Sequence, residues 1–166
     1  MSAFDKALAE LLGLEGGLVD DPLGGRTNLG VTQARLDEAR AKHPDWNLPE
    51  KVDDLTPDPV RPIYREYWDG VCGDKLQPAL ASCVFKQAVN QGPARAIIEL
   101  QASLNVAVDG DLGPVTVAAA NRKPPVDAVV DFISAAIVNY TRDAGWPGNG
   151  RGWVRRAVRT AMQATV

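Results

Sequence analysis

Three side chains that can share acid–base chemistry lie near the start of the chain: Glu15, Asp21 and Thr27. Glu15 follows an apolar helical pattern and precedes two glycines. Carbonyl dipoles at a helix C-terminus and apolar neighbours disfavour an ionised carboxyl group. A Glu that stays protonated near neutral pH can donate its proton to the leaving oxygen of a glycosidic bond. The spacing therefore makes Glu15 a candidate general acid.

Asp21 and Thr27 can supply the other half of such a reaction. Asp21 lies among glycines, where access to water should keep its carboxylate ionised, and two carboxyl groups in contrasting environments suit acid–base catalysis. The hydroxyl of Thr27, six residues further on, can hold a water molecule between the two carboxyls. The alternative is a capped helix followed by a solvated turn, and the spacing alone leaves both interpretations open.

The backbone around these residues is unusually rich in glycine. Six of the 20 residues from 13 to 32 are glycine, and glycine allows positive φ and sharp reversals at an entropic cost. Glycines 24 and 25 allow the chain to fold back between Asp21 and Thr27, so we expect a small β-hairpin here. A segment that accepts this cost while carrying three carboxylates is more typical of a site than of a linker.

The same segment resembles the signature of glycoside hydrolase family 108. The matching residues are Glu15-Gly16-Gly17, Asp21-Pro22, Gly24-Gly25, Thr27-Asn28 and Gly30-Val31-Thr32. The resemblance implies a mainly α, lysozyme-like fold and N-acetylmuramidase activity, with Glu15 as the catalytic acid. The Asp-x5-Thr spacing of Asp21 and Thr27 is similar, more loosely, to that of phage-type lysozymes, which implies a catalytic set of Glu15, Asp21 and Thr27.

Four more residues are candidates for substrate contact: Asn28, Tyr64, Trp68 and Asn90. Tyr64 and Trp68 belong to a Tyr-x2-Tyr-Trp pattern that the family shares, and aromatic rings can contact the apolar faces of sugars. Packing in the core is the alternative for at least one of these aromatic residues. Asn90 lies in a Phe-x2-Ala-Val-Asn-x-Gly stretch similar to the family's, where it either faces the cleft or caps a helix.

The C-terminal part also resembles known patterns. Residues 109–116, Asp-Gly-Asp-Leu-Gly-Pro-Val-Thr, are similar to the turn of peptidoglycan-binding repeats, and Gly152-Trp153 to the family's closing motif. We therefore expect a lysozyme-like catalytic part over residues 1–92 and a helical, peptidoglycan-binding-like part over residues 93–166, packed into one compact domain. The turn also has a purely structural interpretation, with glycines for the reversal and Pro114 in the first helical turn.

Composition excludes several other classes. The 166 residues are 45% hydrophobic and 23% charged, enough apolar residues for a core and too few charges for disorder. No apolar run approaches the roughly 18 residues of a membrane helix. The N-terminus has no signal-peptide pattern, so the protein is expected to stay in the cytoplasm until another factor releases it to the cell wall.

Metal and thiol chemistry are not expected. His43 is the only histidine, whereas a zinc hydrolase needs about three protein ligands, so no metal or cofactor is predicted and His43 is expected to face solvent. Cys72 and Cys83 are expected to be buried thiols, with a disulfide after release as the alternative.

Charge is distributed unevenly. Residues from Arg142 onward carry five arginines and one aspartate, a net +4 that leaves −7 elsewhere. This basic end either meets an anionic cell-wall polymer or is the solvated face of a terminal helix.

Helical periodicity predicts a series of helices. They cover approximately residues 3–15, 33–42, 62–69, 78–91, 93–105 and 126–142, with a short helix before Pro124 and a last helix from about Trp153. Thr32 is the predicted N-cap of the second helix. Residues 43–59, which contain four prolines, and residues 145–152 are expected to be loops.

The expected function is hydrolysis of peptidoglycan at the β-1,4 bond between N-acetylmuramic acid and N-acetylglucosamine, by a phage endolysin. A lytic transglycosylase and a non-catalytic wall-binding or secretion-assisting protein are the alternatives. Peptidoglycan is the expected partner of a monomeric protein, with no nucleic acid and no membrane insertion.

Overall fold

The computed structural model describes residues 1–14, 18–21 and 25–164. Within them, eight α-helices and a three-stranded antiparallel sheet follow one another along the chain. The elements are α1 Ala3–Leu14, β1 Val19–Asp21, β2 Gly25–Asn28, β3 Val31–Thr32, α2 Gln33–Lys42, α3 Pro57–Gly70, α4 Pro78–Gln91, α5 Pro93–Ser103, α6 Pro114–Arg122, α7 Pro125–Tyr140 and α8 Trp146–Ala164. The mainly α class predicted from the sequence is confirmed, and a third short strand extends the predicted hairpin.

Two compact units divide the chain. Unit 2 covers Asp5–Glu66, and unit 1 covers Met1–Phe4 together with Tyr67–Val166. The division therefore falls within α3, whereas the boundary expected at residue 92 lies inside unit 1, where α4 and α5 pack against each other.

Unit 2 combines the sheet with α2 and two short 3₁₀ turns, Pro44–Trp46 and Val52–Asp54. The hydroxyl oxygen of Thr32 accepts a hydrogen bond from Arg35 N at 3.2 Å, which confirms the predicted N-cap of α2. Side chains from α1, the sheet, α2 and α3 form the buried core of this unit, including Leu8, Leu11, Val31, Leu36, Ile63 and Tyr64.

Helix α3 begins five residues earlier than its apolar pattern predicts. Pro57 and Pro59 lie in its first turn, where backbone amides have no intrahelical acceptor and proline removes nothing. Pro62 lies within the helix and removes one hydrogen bond. Prolines at a helix start were thus mistaken for signals of a loop.

Helix α4 is the centre of unit 1 and packs against α5, α7 and α8. Every residue from Leu80 to Ala88 is buried, including Lys86 and Gln87. The sequence predicts one apolar face for this helix, but its neighbours enclose it on all sides.

Helix α8 begins at Trp146, within the predicted loop. Pro147 is compatible with a first helical turn, and Gly150 has a packing role because a Cβ atom there would lie 2.7 Å from Trp146 Cε3. Within the described residues, no helix is both long and apolar enough to cross a membrane.

The turn at residues 109–116 is held by the buried side chain of Gln101. Its Nε2 donates to Asp109 Oδ1 at 2.6 Å and to Asp111 O at 2.9 Å. Its Oε1 accepts from Gly110 N at 2.9 Å. One amide group thus fixes the reversal between α5 and α6.

Candidate active site

The sheet contains the antiparallel strand pair that the sequence predicts on either side of residues 22–24. β1 and β2 are antiparallel, with Asp21 opposite Gly25 and Val19 opposite Thr27. Asp21 and Thr27 therefore lie two register positions apart on adjacent strands. Glu15 lies outside the described residues, and the side chain of Asp21 is not described, so their assigned roles stay predictions.

Thr27 occupies the middle strand. Its backbone pairs with Val19 on one side and Thr32 on the other. Its half-buried hydroxyl donates to Gly25 O at 3.2 Å. A hydroxyl that uses its proton in this way still has lone pairs, so Thr27 can both support the hairpin and accept a hydrogen bond from water.

Asn28 is buried and has a structural role. The side chain is 8% exposed, and its Nδ2 donates to Val52 O at 2.8 Å and Leu55 O at 3.2 Å. Arg26 Nε reaches the same segment at Asp53 Oδ1, 2.6 Å away. Both residues fasten β2 to the 3₁₀ turn, and the contact predicted between Asn28 and substrate is not supported because its amide is already bonded in the interior.

Tyr64 supports the turn that follows β2. Leu29 and Gly30 join β2 to β3 with φ values of 50° and 76°, the two positive angles of a type I′ turn. The phenolic OH of Tyr64 donates to Leu29 O at 2.6 Å. A non-glycine residue with positive φ is strained, so this partly buried bond helps to hold an unfavourable backbone conformation. The sugar contact predicted for Tyr64 is replaced by this supporting role.

Trp68 lies in the core of unit 1 and is 0% exposed. Its ring centroid is 5.6 Å from that of Phe4 and 5.6 Å from that of Phe85, and its Nε1 donates to Asp74 Oδ1 at 2.9 Å. The alternative of core packing is therefore the correct one, since no face of this indole remains for a sugar.

Both polar atoms of the Asn90 side-chain amide form hydrogen bonds. Its Nδ2 donates to Lys86 O at 2.9 Å, near the end of α4, and its Oδ1 accepts from Arg156 Nη1. This arrangement matches the capping alternative and joins α4 to α8. Of the four predicted substrate contacts, Asn90 is the one whose side chain remains partly exposed.

Glu66, which the sequence analysis did not identify, lies within hydrogen-bond distance of three side chains of unit 2. Arg35 Nη2, Lys42 Nζ and His43 Nε2 lie 2.6, 2.7 and 2.9 Å from its oxygens. Burial raises the pKa of Glu66, but the hydrogen bonds from Lys42, Arg35 and His43 outweigh it and hold that pKa at about 2. His43 also stacks on Trp46 with ring centroids 3.9 Å apart, and its side chain is 26% exposed, so it faces solvent only in part.

The low pKa of Glu66 predicts a loss of stability in acid. A carboxyl whose pKa is lower in the folded state stabilises fully above its unfolded pKa, near 4.5, and progressively less as the pH falls toward about 2. The carboxyl is 24% exposed, so we expect about 1–2 kcal/mol after screening by solvent. Chemical unfolding between pH 6 and 2.5 should show this loss, and Glu66→Gln should flatten it. Glu50→Gln, at an exposed position, should leave the slope unchanged; an equal change in both variants would contradict the assignment.

Glu99 is a second unusual acid, in unit 1. Burial raises its pKa, although Gln87 Nε2 at 2.7 Å, Arg95 Nε at 3.2 Å and Asn139 Nδ2 at 3.3 Å donate to it. A raised pKa in a cleft would suggest a general acid. Glu99 is only 1% exposed, so it cannot reach a polymer and belongs to the packing of α4, α5 and α7.

Metal ligands do not gather in the described part of the chain. No group of three or more His, Cys, Asp or Glu residues there is arranged to hold an ion. Cys72 and Cys83 are both free thiols.

Comparison with known proteins identifies the family. The profile of glycosyl hydrolase family 108 matches residues 8–92, a stretch that contains the second half of α1, the glycine-rich segment, the sheet and helices α2 to α4. A solved structure from Brucella abortus, that of SagA, has a TM-score of 0.83 and 32% identity, with 98% of this chain and 93% of that chain covered. None of the curated proteins compared with the chain matches it.

The chain belongs to glycosyl hydrolase family 108. Membership makes it a glycoside hydrolase and supports peptidoglycan as its substrate. Its mainly helical architecture with a small antiparallel sheet is the lysozyme-like fold that the sequence predicts.

Proposed function

We propose that this protein is an N-acetylmuramidase that cleaves the β-1,4 bond between N-acetylmuramic acid and N-acetylglucosamine. The observation that carries the proposal is the family match over residues 8–92, which includes Glu15 and its two glycines. The antiparallel pairing of β1 with β2 adds support, because it brings the backbones of Asp21 and Thr27 onto adjacent strands.

In the proposed mechanism Glu15 protonates the glycosidic oxygen as the bond breaks. Asp21 and Thr27 accept hydrogen bonds from one water molecule, and as the oxygen of that water bonds to the anomeric carbon its proton passes to the Asp21 carboxylate. Direct attack by water requires about 6.5–9.5 Å between the two carboxyl groups, whereas about 5–5.5 Å would favour a covalent intermediate. Asn28 and Tyr64 have a supporting role, because their hydrogen bonds hold β2 and the turn between β2 and β3 in place.

Thr27→Val tests the role of the hydroxyl in holding water. Valine preserves shape and β-branching but accepts no hydrogen bond, so we expect kcat to fall at least tenfold, or about 1.4 kcal/mol on the barrier. Thr27→Ser should be milder. Thr32→Val is the matched control: it lies opposite Thr27 in the sheet and should lose the cap of α2 while keeping its turnover.

The melting temperature and the turnover rate, measured on the same preparation, distinguish a catalytic role of Thr27 from a purely structural one. If Thr27 only satisfies Gly25 O, its valine variant should melt at a lower temperature while the folded fraction turns over at the wild-type rate. That result would remove Thr27 from the catalytic set.

Lysis of permeabilised Gram-negative cells tests the activity itself. The wild-type protein should lower the turbidity of cells whose outer membrane has been made permeable. A non-catalytic wall-binding or secretion-assisting protein would sediment with cell walls and leave turbidity unchanged. Binding without lysis would therefore contradict the proposal.

We also propose a biological role as a phage endolysin that acts as a monomer, with residues 93–166 contributing to peptidoglycan binding. The similarity of residues 109–116 to peptidoglycan-binding repeats supports the second part. The hydrogen bonds from Gln101 explain the shape of that turn without any ligand, so a binding surface has to be sought elsewhere in this part of the chain.

A further inference from the structure

The first half of α8 carries an open cavity that the proposed reaction does not use. It measures about 450 Å³ and is lined by Trp146, Gly150, Arg151, Val154 and Arg155. Its volume falls within the roughly 300–1,000 Å³ typical of small-molecule sites. All five residues belong to one helix of unit 1, so the cavity does not depend on any other part of the chain.

Trp146 is a fixed wall of this cavity. Its ring lies against Gly150, where a Cβ atom would be 2.7 Å from Cε3 and 2.8 Å from Cδ2. The residue is half-buried, so part of the indole remains accessible. An aromatic surface that is already held in place loses little conformational entropy when a ligand binds.

Arg151 and Arg155 are the two charged residues of the lining, and they line the cavity chiefly with their aliphatic stems. Both are exposed, and neither forms a hydrogen bond or ion pair with another described residue. Their spacing of four residues puts the two guanidinium groups side by side on the helix, where like charges repel. Arg156, the next residue, differs because it donates to Asn90. An anionic ligand would relieve the repulsion and accept hydrogen bonds from both arginines.

We propose that this cavity is an accessory peptidoglycan-binding site for the carboxylates of the stem peptide. Trp146, Val154 and the aliphatic parts of the arginines contact the apolar portions of the ligand, while Arg151 and Arg155 bind its carboxylates. N-acetylglucosamine is neutral, and the lactyl carboxyl of N-acetylmuramic acid is bonded to the stem peptide as an amide, so the paired arginines favour the peptide over the glycan. The identity of the polymer rests on the proposed function; the affinity for peptide carboxylates rests on the cavity.

Nuclear magnetic resonance on the full chain tests the site. The probe is a disaccharide–tetrapeptide, which contains no bond for a muramidase to cut, and the shifts of α8 amides report binding at this cavity. We expect Arg151→Gln/Arg155→Gln to raise Kd at least fivefold, and the same probe with amidated carboxyls to lose binding to a similar extent. Arg159→Gln removes one positive charge from α8 outside the cavity lining, against two in the double variant, and should change Kd less than twofold.

Several results would overturn the inference. Absent α8 shifts, equal binding of the amidated probe, or equal weakening by Arg159→Gln would each do so. Vesicles of phosphatidylglycerol that shift the same amides while the muropeptide does not would identify a membrane-binding face instead, since Val158 and Met162 are also exposed on this helix.

Glycan strands stripped of peptide, with the freed lactyl carboxyls converted to amides, keep this test separate from the proposed function. The double variant should release reducing ends from them at the wild-type rate, because no stem peptide is present. If the α8 shifts are absent while reducing ends are still released, the accessory site is wrong and the muramidase stands. If the shifts are present but wild-type protein releases no reducing ends, the proposed function is wrong and the binding site stands.

Discussion

Glu15→Gln is expected to lower the rate of peptidoglycan cleavage at least 100-fold. Glutamine has nearly the same shape as glutamate but carries no acidic proton, and general acid catalysis contributes about 10²- to 10⁴-fold. Initial rates of reducing-end release from purified sacculi measure the effect, and thermal unfolding of the same preparation establishes that the variant is folded.

Glu10→Gln is the matched control, because it makes the same substitution in α1, where Glu10 lies 3.9 Å from Lys6. It should keep most of the wild-type activity. A Glu15→Gln variant with more than a tenth of the wild-type rate would contradict the assignment of Glu15 as the acid.

Gly73→Ala is expected to have the largest effect on stability. A Cβ atom at position 73 would lie 2.3 Å from Trp68 Cε2 and 2.5 Å from Cδ2. The indole cannot move away, because Phe4 and Phe85 pack against it. Overpacking of this kind costs about 1–3 kcal/mol and occasionally more, and we expect about 3 kcal/mol in the free energy of unfolding, measured with urea.

Gly152→Ala provides the contrast within the same unit. Position 152 is exposed in α8, with nothing within 4 Å of an added Cβ. Alanine should stabilise the helix by about 0.5–1 kcal/mol. If Gly73→Ala is as harmless as this control, Trp68 has room to shift and the packing described for the aromatic cluster is wrong.

Periodicity located most of the helices because the apolar residues of α1, α5 and α7 recur at helical spacing. It failed where proline and glycine are used for other purposes. Prolines 57 and 59 start α3, and Gly150 makes room for Trp146. Local rules treat both residue types as helix breakers. Here the prolines lie in a first helical turn, where they are tolerated, and the glycine lies where the Trp146 ring leaves no space for a side chain.

The hairpin and the cap at Thr32 could be predicted because both depend on residues adjacent in sequence. The hydrogen-bond partners of buried polar side chains could not be predicted in this way. Asn28 bonds to backbone atoms 24 and 27 residues away, and Glu66 gathers donors from α2 and the residue after it. Tyr64 and Trp68 illustrate the same limit, because an aromatic residue in a core and one lining a sugar cleft have the same local pattern.

The ends of the cleaved glycan strands test the central claim most directly. Purified sacculi are digested with the protein, reduced with borohydride and examined by mass spectrometry. A muramidase gives strands that end in reduced N-acetylmuramic acid, which is the result we predict. Ends in 1,6-anhydro-N-acetylmuramic acid would instead show a lytic transglycosylase, which uses one acid and no water, and would contradict the proposed hydrolysis through Glu15, Asp21 and Thr27.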